Sequence, residues 1–412
     1  MTSQERVLAS INHKTPDKVP VDLGSNPSSG ISAIAYNNFK NKLGLKHLTK
    51  VYDVVQQLAE PDDSIIDYLG IDVLDIGRIF NRDKEKWYEL KLSDESLAMY
   101  PTWFKPVQES DASWNAFDEE GDLIARMPND ANFFDQTYFP LINGYPSNYK
   151  NLPLALNKVL WAKYAPSPWD HASENNFYEN LREKTIKLRE ESDKALMFGA
   201  GCNLFEMGAF LRRLDNFLMD LFLDPLNVEK LLDELVQIHL NSLEKICKSV
   251  GDIADIIKFG DDFGMSSGML IPRETYQKFF KPRQKILCDY VKNNSNMKLF
   301  LHSCGSIKPI IPDLIEVGFD ILNPVQTNCF DMDPVTLKND FGNDITFWGG
   351  GADTTNVLNK KTPDEVRKHV LERLTIFSKD GGYIFNQIHN ILPDVPPENI
   401  IAMFEAVKEY NS

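Results

Sequence analysis

Residues 297–326, MKLFLHSCGSIKPIIPDLIEVGFDILNPVQ, contain two short apolar runs separated by a segment of helical period. The runs KLFLHSC (298–304) and FDILNPVQ (319–326) have the length and the β-branched and aromatic content of buried strands. A strand, a helix and a second strand in this order are typical of a βα unit in a parallel sheet. The first run ends on His302 and Cys304, two residues apart, in a chain with seven histidines and five cysteines.

The same alternation extends over most of the 412 residues. Eight apolar runs alternate with helical segments, and the count of eight favours closure into a (β/α)8 TIM barrel, although a doubly wound open sheet has the same local pattern. The whole chain, 1–412, is therefore predicted to be one barrel domain. The runs are KVPVDLG (18–24), IDVLDIG (71–77), ALMFGAGCN (195–203), IADIIKFGDD (253–262), KLFLHSC (298–304), FDILNPVQ (319–326), ITFWGGGAD (345–353) and GYIFNQIHN (382–390).

Two of the intervening helices have clear start signals. In KTPDEVRKHVLERLTIFSKDGG, Thr362 is placed as the N-cap, Pro363 at the first helical position and Glu365 as the partner in a capping box. Gly381 is predicted to end this helix. The segment VPPENIIAMFEAVKEY at residues 395–410 has a similar proline entry and predicts the last helix of the chain.

One region departs from the alternation. From about residue 80 to about residue 170, after the second strand, the chain is rich in Trp, Tyr, Phe and Pro and predicts irregular, partly β structure with a hairpin at WNAFDEEGDLIARMP (114–128). A segment of this length is more often functional than structureless. We expect it to form a lid or wall over one end of the barrel.

Composition and charge exclude several classes of function. With 60 acidic and 44 basic residues the net charge is −16, and no basic block is present that could bind nucleic acid or an anionic membrane. The opening residues are charged where a signal peptide needs an apolar core, so we expect a cytoplasmic protein. The five scattered cysteines indicate reduced thiols and not a disulfide framework.

Polar residues collect at the carboxyl ends of the predicted strands, where the active site of a TIM barrel lies. We expect the acidic residues among them to act in catalysis and the amides, with one further aspartate, to bind substrate. The predicted catalytic residues are Asp261, Asp262 and Glu206, and the predicted substrate-binding residues are Asn203, Asn323, Gln326, Asp353 and Gln387.

His302 and Cys304 are predicted to bind a metal ion. Residues two apart on a strand point to the same side, so an imidazole and a thiolate at these positions suit one zinc ion. A catalytic zinc needs a third protein ligand from another strand end, and Glu206 and His389 are the candidates. The alternative is a buried thiol beside a hydrogen-bonded histidine, with Glu206 stabilised at a helix N-terminus and His389 closing a loop or binding a substrate carboxylate.

The sequence resembles the uroporphyrinogen decarboxylase superfamily, and within it the corrinoid (cobalamin)-dependent methyltransferases. The resemblance rests on ERVLASINHKTPDKVPVDLG (5–24), LHSCGSIKPIIPDLIEVGFDILNPVQ (301–326), FWGGGADTTNVLNKKTPDEVRKHV (347–370) and IHNILPDVPPENIIAMFEAVKEY (388–410). It implies a TIM barrel with zinc bound through the His-x-Cys pair. In the methyltransferases the third ligand is a cysteine near the last strand, where this chain has His389. Porphyrinogen decarboxylation is not expected, because PVDLGSNPSSGISAI (20–34) replaces the arginine-rich N-terminal motif.

The resemblance implies methyl transfer, in one-carbon metabolism, between a small methylated substrate or a thiol and the cobalt of a corrinoid protein. The aromatic insertion would then shape the substrate pocket and leave a face for the corrinoid domain. Two other hypotheses are kept: a metal-free decarboxylase or lyase that uses Asp261, Asp262 and His389 for proton transfer, and an inactive barrel that binds a small molecule. Whether the protein is a homodimer is left open.

Overall fold

The computed structural model describes residues 1–412, and a sheet of seven parallel strands forms its centre. The helices are Ser3–Ile11 (α1), Ala33–Lys42 (α2), Asp63–Leu69 (α3), Leu152–Leu156 (α4), Leu160–Lys163 (α5), Phe177–Glu191 (α6), Phe205–Arg212 (α7), Leu214–Leu223 (α8), Pro225–Val250 (α9), Arg273–Phe279 (α10), Lys281–Asn294 (α11), Ile311–Val317 (α12), Pro334–Phe341 (α13), Pro363–Phe377 (α14) and Pro397–Tyr410 (α15). The strands are Thr49–Asp53 (β1), Leu58–Ala59 (β2), Val73–Asp75 (β3), Trp87–Lys91 (β4), Leu97–Pro101 (β5), Val107–Gln108 (β6), Trp114–Phe117 (β7), Leu123–Met127 (β8), Asp135–Gln136 (β9), Ala195–Gly201 (β10), Ile256–Gly260 (β11), Gly264–Met265 (β12), Gly268–Met269 (β13), Lys298–His302 (β14), Ile321–Asn323 (β15), Thr346–Trp348 (β16) and Tyr383–Ile384 (β17).

The seven-stranded sheet has the order β3-β10-β11-β14-β15-β16-β17, which is sequence order, and it curls into a barrel. The predicted first strand, residues 18–24, closes the gap by a single bridge in which Val21 pairs with Phe385 in parallel. On its other side the segment contacts the residue before β3, because the Asp72 N–H donates to Val21 O at 2.8 Å. Pro20 has no N–H to donate, and this limits the segment to a bridge. The predicted TIM barrel is confirmed.

Apolar side chains fill the barrel below its carboxyl end. One cluster of ten buried residues combines inward-facing side chains of the strands with two residues of α1, which closes the opposite end. Because strand residues alternate between the two faces, the other side chains pack outward against the helices. The ten residues are Val7, Ile11, Val73, Ala195, Met197, Ile256, Phe300, Ile321, Trp348 and Ile384.

The predicted helix starts are confirmed. The Thr362 side chain accepts from the Glu365 N–H, and the Glu365 carboxylate accepts from the Thr362 N–H, so the capping box at α14 is complete. The predicted end at Gly381 is wrong, because α14 stops at Phe377 and the chain turns before the glycine, with Asp380 and Gly381 both at positive φ. None of the helices combines the length and the apolar character needed to cross a membrane.

The segment between the second and third barrel strands contains more regular structure than its sequence predicts. The expected hairpin is confirmed as β7 and β8, within the four-stranded sheet β6-β7-β8-β9. A second sheet, β2-β1-β5-β4, includes β1 and β2, which precede residue 80. The structural unit therefore begins earlier in the chain than the predicted boundary at about residue 80. Fifteen buried residues give the region its own core, and the Trp169 indole N–H joins it to the barrel by donating to Gly199 O at 2.7 Å.

Candidate metal centre at the barrel mouth

Two imidazoles and one thiol meet at the carboxyl end of the barrel. His302 is the last residue of β14, Cys304 follows it by two residues, and His389 lies five residues beyond the end of β17. One ligand atom of each side chain lies within 4.8 Å of those of the other two, and His302 Nε2 is 3.3 Å from Cys304 Sγ. Of the two candidates for a third ligand, the structure brings His389 into this group and leaves Glu206 outside it.

The orientation of His302 is fixed by Asn323. The Asn323 side-chain amide donates to Trp348 O at 2.9 Å, which turns its oxygen toward His302 Nδ1 at 2.7 Å. Nδ1 therefore carries the hydrogen, and Nε2 presents a lone pair to the centre. Burial lowers the pKa of His302 to about 3 and that of His389 to about 4, so both rings are neutral at physiological pH.

His389 has an unusual backbone conformation. Its φ is +57°, in the left-handed region that non-glycine residues seldom adopt. The preceding Ile388 is anchored on both sides, because its N–H donates to Ala352 O at 2.8 Å and its carbonyl accepts from the Thr354 hydroxyl at 2.7 Å. These contacts hold the loop in a conformation that brings the imidazole to the mouth of the barrel.

The two adjacent aspartates after β11 have different surroundings. Asp262 Oδ1 accepts from the Cys304 N–H at 2.8 Å and lies 3.5 Å from His302 Nε2. Asp261 is fully buried and accepts from the main-chain N–H groups of Leu204 and Glu206, at 3.0 and 2.9 Å, at the start of α7. The pair predicted to act together in acid–base chemistry is therefore split between the centre and a helix N-terminus.

Glu206 is a carboxyl group in a buried setting near Asp262. Burial, with the nearby Asp262 carboxylate, raises the pKa of Glu206 well above its ordinary value. Asn203 donates to Glu206 Oε2 at 2.6 Å and fixes the direction of the carboxyl group. This arrangement favours the protonated form of Glu206 at the mouth.

Lys258, which the sequence reasoning did not single out, also belongs to the mouth. It lies on β11 with the same parity as the inward-facing Ile256, and it pairs in register with Gly199 of β10. Its ammonium group makes no hydrogen bond or ion pair; burial lowers its pKa while Glu206 and Asp262 oppose that effect. The available signal was a lysine inside the apolar run IIKFG.

Space is left beside this lysine. A Cβ added to Gly199 would meet no atom within 4 Å, although the residue lies on a central strand of the barrel. Gly201, two residues further along β10, is exposed. The β10 wall therefore leaves open space at Gly199, beside Lys258.

Of the residues predicted to bind substrate, two have their polar groups engaged in loop contacts. The Asp353 carboxylate accepts from the N–H groups of Thr355 and Asn356, at 2.8 and 3.0 Å. The Gln387 side chain is fully buried and donates to Ser29 O at 3.1 Å. Their binding roles stay predictions, and their observed contacts stabilise the loops around the mouth.

The other three predicted binding residues contact the centre or its supports. Asn323 orients His302 and Asn203 orients Glu206, as described above. The Gln326 side-chain oxygen accepts from the N–H of Gly305, which follows the cysteine of the centre. These contacts hold the ligand-bearing loops in place, and direct binding of substrate by these amides stays a prediction.

Comparisons with known proteins agree with this architecture. The sequence model of the family described as "Uroporphyrinogen decarboxylase (URO-D)" matches residues 188–410. Among curated proteins, the uroporphyrinogen decarboxylase of Rickettsia bellii is 26% identical over 170 residues, 38% of this chain and 43% of that protein. The one of Hydrogenobaculum sp. is 25% identical over 182 residues, 44% and 47% of the two chains. The chain thus spans less than half the length of these relatives.

A solved structure described as a methyltransferase from Methanosarcina mazei superposes on the whole chain. The TM-score is 0.60 with 16% sequence identity, and all of both chains is covered. At this identity the likeness concerns the fold.

Proposed function

The chain belongs to the uroporphyrinogen decarboxylase family, and we propose that it is a zinc-dependent methyltransferase within that family. It would move a methyl group between a small methylated substrate or a thiol and the cobalt of a corrinoid protein. The observation that carries this proposal is the meeting of His302, Cys304 and His389 at the barrel mouth. The fold shared with the Methanosarcina mazei methyltransferase supports it.

The donor set fits zinc. Two neutral imidazoles and one thiol are a usual ligand combination for this ion, and three protein ligands are the number found in catalytic sites. Zn–N of about 2.0 Å and Zn–S of about 2.3 Å place adjacent ligand atoms of a tetrahedral site about 3.5 Å apart. The 3.3 Å between His302 Nε2 and Cys304 Sγ is close to that spacing.

Bound zinc would supply Lewis acidity, either polarising the heteroatom of a methyl donor or lowering the pKa of an acceptor thiol. The protein contributes orientation and a proton. Asn323 keeps the Nε2 lone pair of His302 directed at the centre. Glu206, which Asn203 fixes and whose pKa burial raises well above its ordinary value, would in its protonated form donate a proton to the heteroatom that loses the methyl group.

A decarboxylase or lyase is the second candidate. It is favoured by the name of the curated relatives and by two carboxyl groups whose pKa values burial raises, Glu206 and Asp75, the latter to about 7. The absence of the arginine-rich N-terminal motif counts against a porphyrinogen substrate. Release of carbon dioxide from carboxylated substrates without corrinoid would favour this candidate.

The decisive experiment combines metal analysis with a methyl-transfer assay. We expect the purified protein to bind one zinc per chain and to exchange methyl groups with free methylcobalamin or cob(I)alamin. His302→Ala, Cys304→Ala and His389→Ala should each lose the metal and the activity, because each removes one of three ligands. Cys329→Ala, which removes a half-buried thiol outside the ligand group, is the matched control. Full zinc content in Cys304→Ala would refute the proposal.

A further inference from the structure

Asp262 lies beside the candidate metal centre, in contact with the residues of two of its ligands. Its Oδ1 lies 3.5 Å from His302 Nε2, and two ligand atoms about 2.0 Å from a tetrahedral ion are about 3.3 Å apart. Its side chain is one-third exposed to the mouth, whereas the adjacent Asp261 is fully enclosed. The carboxylate therefore lies at ligand spacing from His302, and it is outside the group of three whose ligand atoms all lie within 4.8 Å of one another.

We propose that Asp262 is an exchangeable fourth ligand of the metal, which completes the coordination shell at rest and leaves when substrate binds. This inference rests on the proposed function, since it concerns the metal held by His302, Cys304 and His389. It extends that proposal by giving the open position a resting occupant and by giving Asp262 a role other than proton transfer.

The contacts around the centre indicate which ligand would leave. His302 is held by Asn323, and the loop before His389 is anchored through both polar main-chain groups of Ile388. Asp262 is held by one hydrogen bond, from the Cys304 N–H, and carboxylates exchange more readily than thiolates at zinc because they are harder ligands. Of the four groups, Asp262 is the least constrained.

Lys258 provides an alternative partner for the displaced carboxylate. Its ammonium group has no hydrogen bond or ion pair, and Asp262 is one of the carboxylates that oppose the loss of its charge. When substrate binds, Asp262 would release the metal, the substrate heteroatom would take its place, and the released carboxylate would pair with Lys258. No electron is transferred, and the proton of an entering thiol would pass to solvent at the mouth, where Asp262 is one-third exposed, so the step balances.

The ligand role is tested with zinc and with cobalt(II) as a spectroscopic substitute. Asp262→Asn keeps an oxygen that can accept from the Cys304 N–H but removes the anionic ligand, so we expect zinc affinity to fall at least about tenfold. Asp262→Cys places a second sulfur at the same position, so the thiolate-to-cobalt absorption should about double. Unchanged zinc affinity in Asp262→Asn, or single-thiolate absorption in a folded Asp262→Cys variant, would overturn the proposal. Cys329→Ala is the control.

Displacement is tested with 2-mercaptoethanol as the entering ligand. In the cobalt-loaded protein, Lys258→Met keeps the length of the side chain and removes its charge. We expect unchanged metal affinity and several-fold weaker thiol binding, because the released carboxylate has lost its counter-ion. Thiol binding as tight as in the wild type would refute the role of Lys258. If His302→Ala and Cys304→Ala lose the metal while Asp262→Asn does not, this inference fails and the proposed function stands; if those two variants keep the metal, the proposed function itself fails.

Discussion

Replacing Asn323 by alanine should weaken metal binding without touching a ligand atom. Asn323 is fully buried, and its side chain connects His302 Nδ1 to Trp348 O through hydrogen bonds of 2.7 and 2.9 Å. Removing the side chain leaves the Nδ1–H without a partner and frees the ring to adopt the other tautomer. An unsatisfied buried donor costs about 1–3 kcal/mol. If the cost falls on the metal-bound protein, the free energy of zinc binding becomes less favourable, and zinc affinity falls about 10- to 100-fold.

The assay is competition for zinc against a chelator of known affinity, at constant pH and ionic strength. Asn328→Ala is the matched control, because Asn328 donates to Asp353 at 3.1 Å on the following loop and has no hydrogen bond to His302. Chemical denaturation of both apoproteins separates loss of stability from loss of affinity. If Asn323→Ala binds zinc as tightly as Asn328→Ala, the argument that this amide fixes the tautomer of His302 is wrong.

Three further predictions concern the same region. Burial raises the pKa of the Cys304 thiol well above its ordinary value, whereas His302 and His389, with pKa values of about 3 and about 4, are already deprotonated above pH ~5. Zinc binding should therefore release one proton, from Cys304, and zinc affinity should rise about tenfold per pH unit between about pH 6 and 8. Release of two or more protons in a pH titration would contradict this. Asp261→Ala leaves two N–H groups at the start of α7 without an acceptor, so it should lower the free energy of unfolding by about 2–5 kcal/mol in urea denaturation. Asp261→Asn should lose less. A loss below about 0.5 kcal/mol would show that Asp261 does not stabilise this helix. Gly199→Leu fills the space beside Lys258, so methyl transfer should fall at least about tenfold while zinc content stays unchanged. Gly199→Ala adds a smaller side chain and is the control. Unaltered transfer in Gly199→Leu would show that the substrate binds elsewhere.

The barrel could be predicted from the sequence because its strands are short apolar runs with clear helical segments between them. All eight runs occupy strand positions, and the capping box at Thr362 and Glu365 marks the start of α14. The two strands β1 and β2 were not predicted. β2 has only two residues and pairs with β1, and the other partner of β1 is β5, which lies more than 40 residues further along the chain, so no local pattern indicates the sheet.

The site was less predictable because the direction of each side chain, and its distance from side chains on other strands, depend on tertiary structure. The sequence places Asp261 and Asp262 together, but alternation along the chain turns one toward the start of α7 and the other toward Cys304. Lys258 was missed because a lysine within an apolar strand is usually assigned to an exposed edge. His389 was one of two candidates in the sequence for the third ligand. Only the closed barrel, which brings the loop after β17 near the end of β14, shows that it reaches His302.

His389 favours the proposed metal centre over a buried polar contact. Without a metal, His302 and Cys304 could satisfy each other, since Nδ1 donates to Asn323 and Nε2 can accept from the thiol. That pair has no need of a second imidazole. His389 nevertheless lies beside it, neutral and without a hydrogen bond, on a left-handed backbone that costs about 1–3 kcal/mol. A purely structural contact does not explain why such a loop is retained in this conformation. A shared cation would compensate its cost, because coordination gives the otherwise unpaired nitrogen a partner.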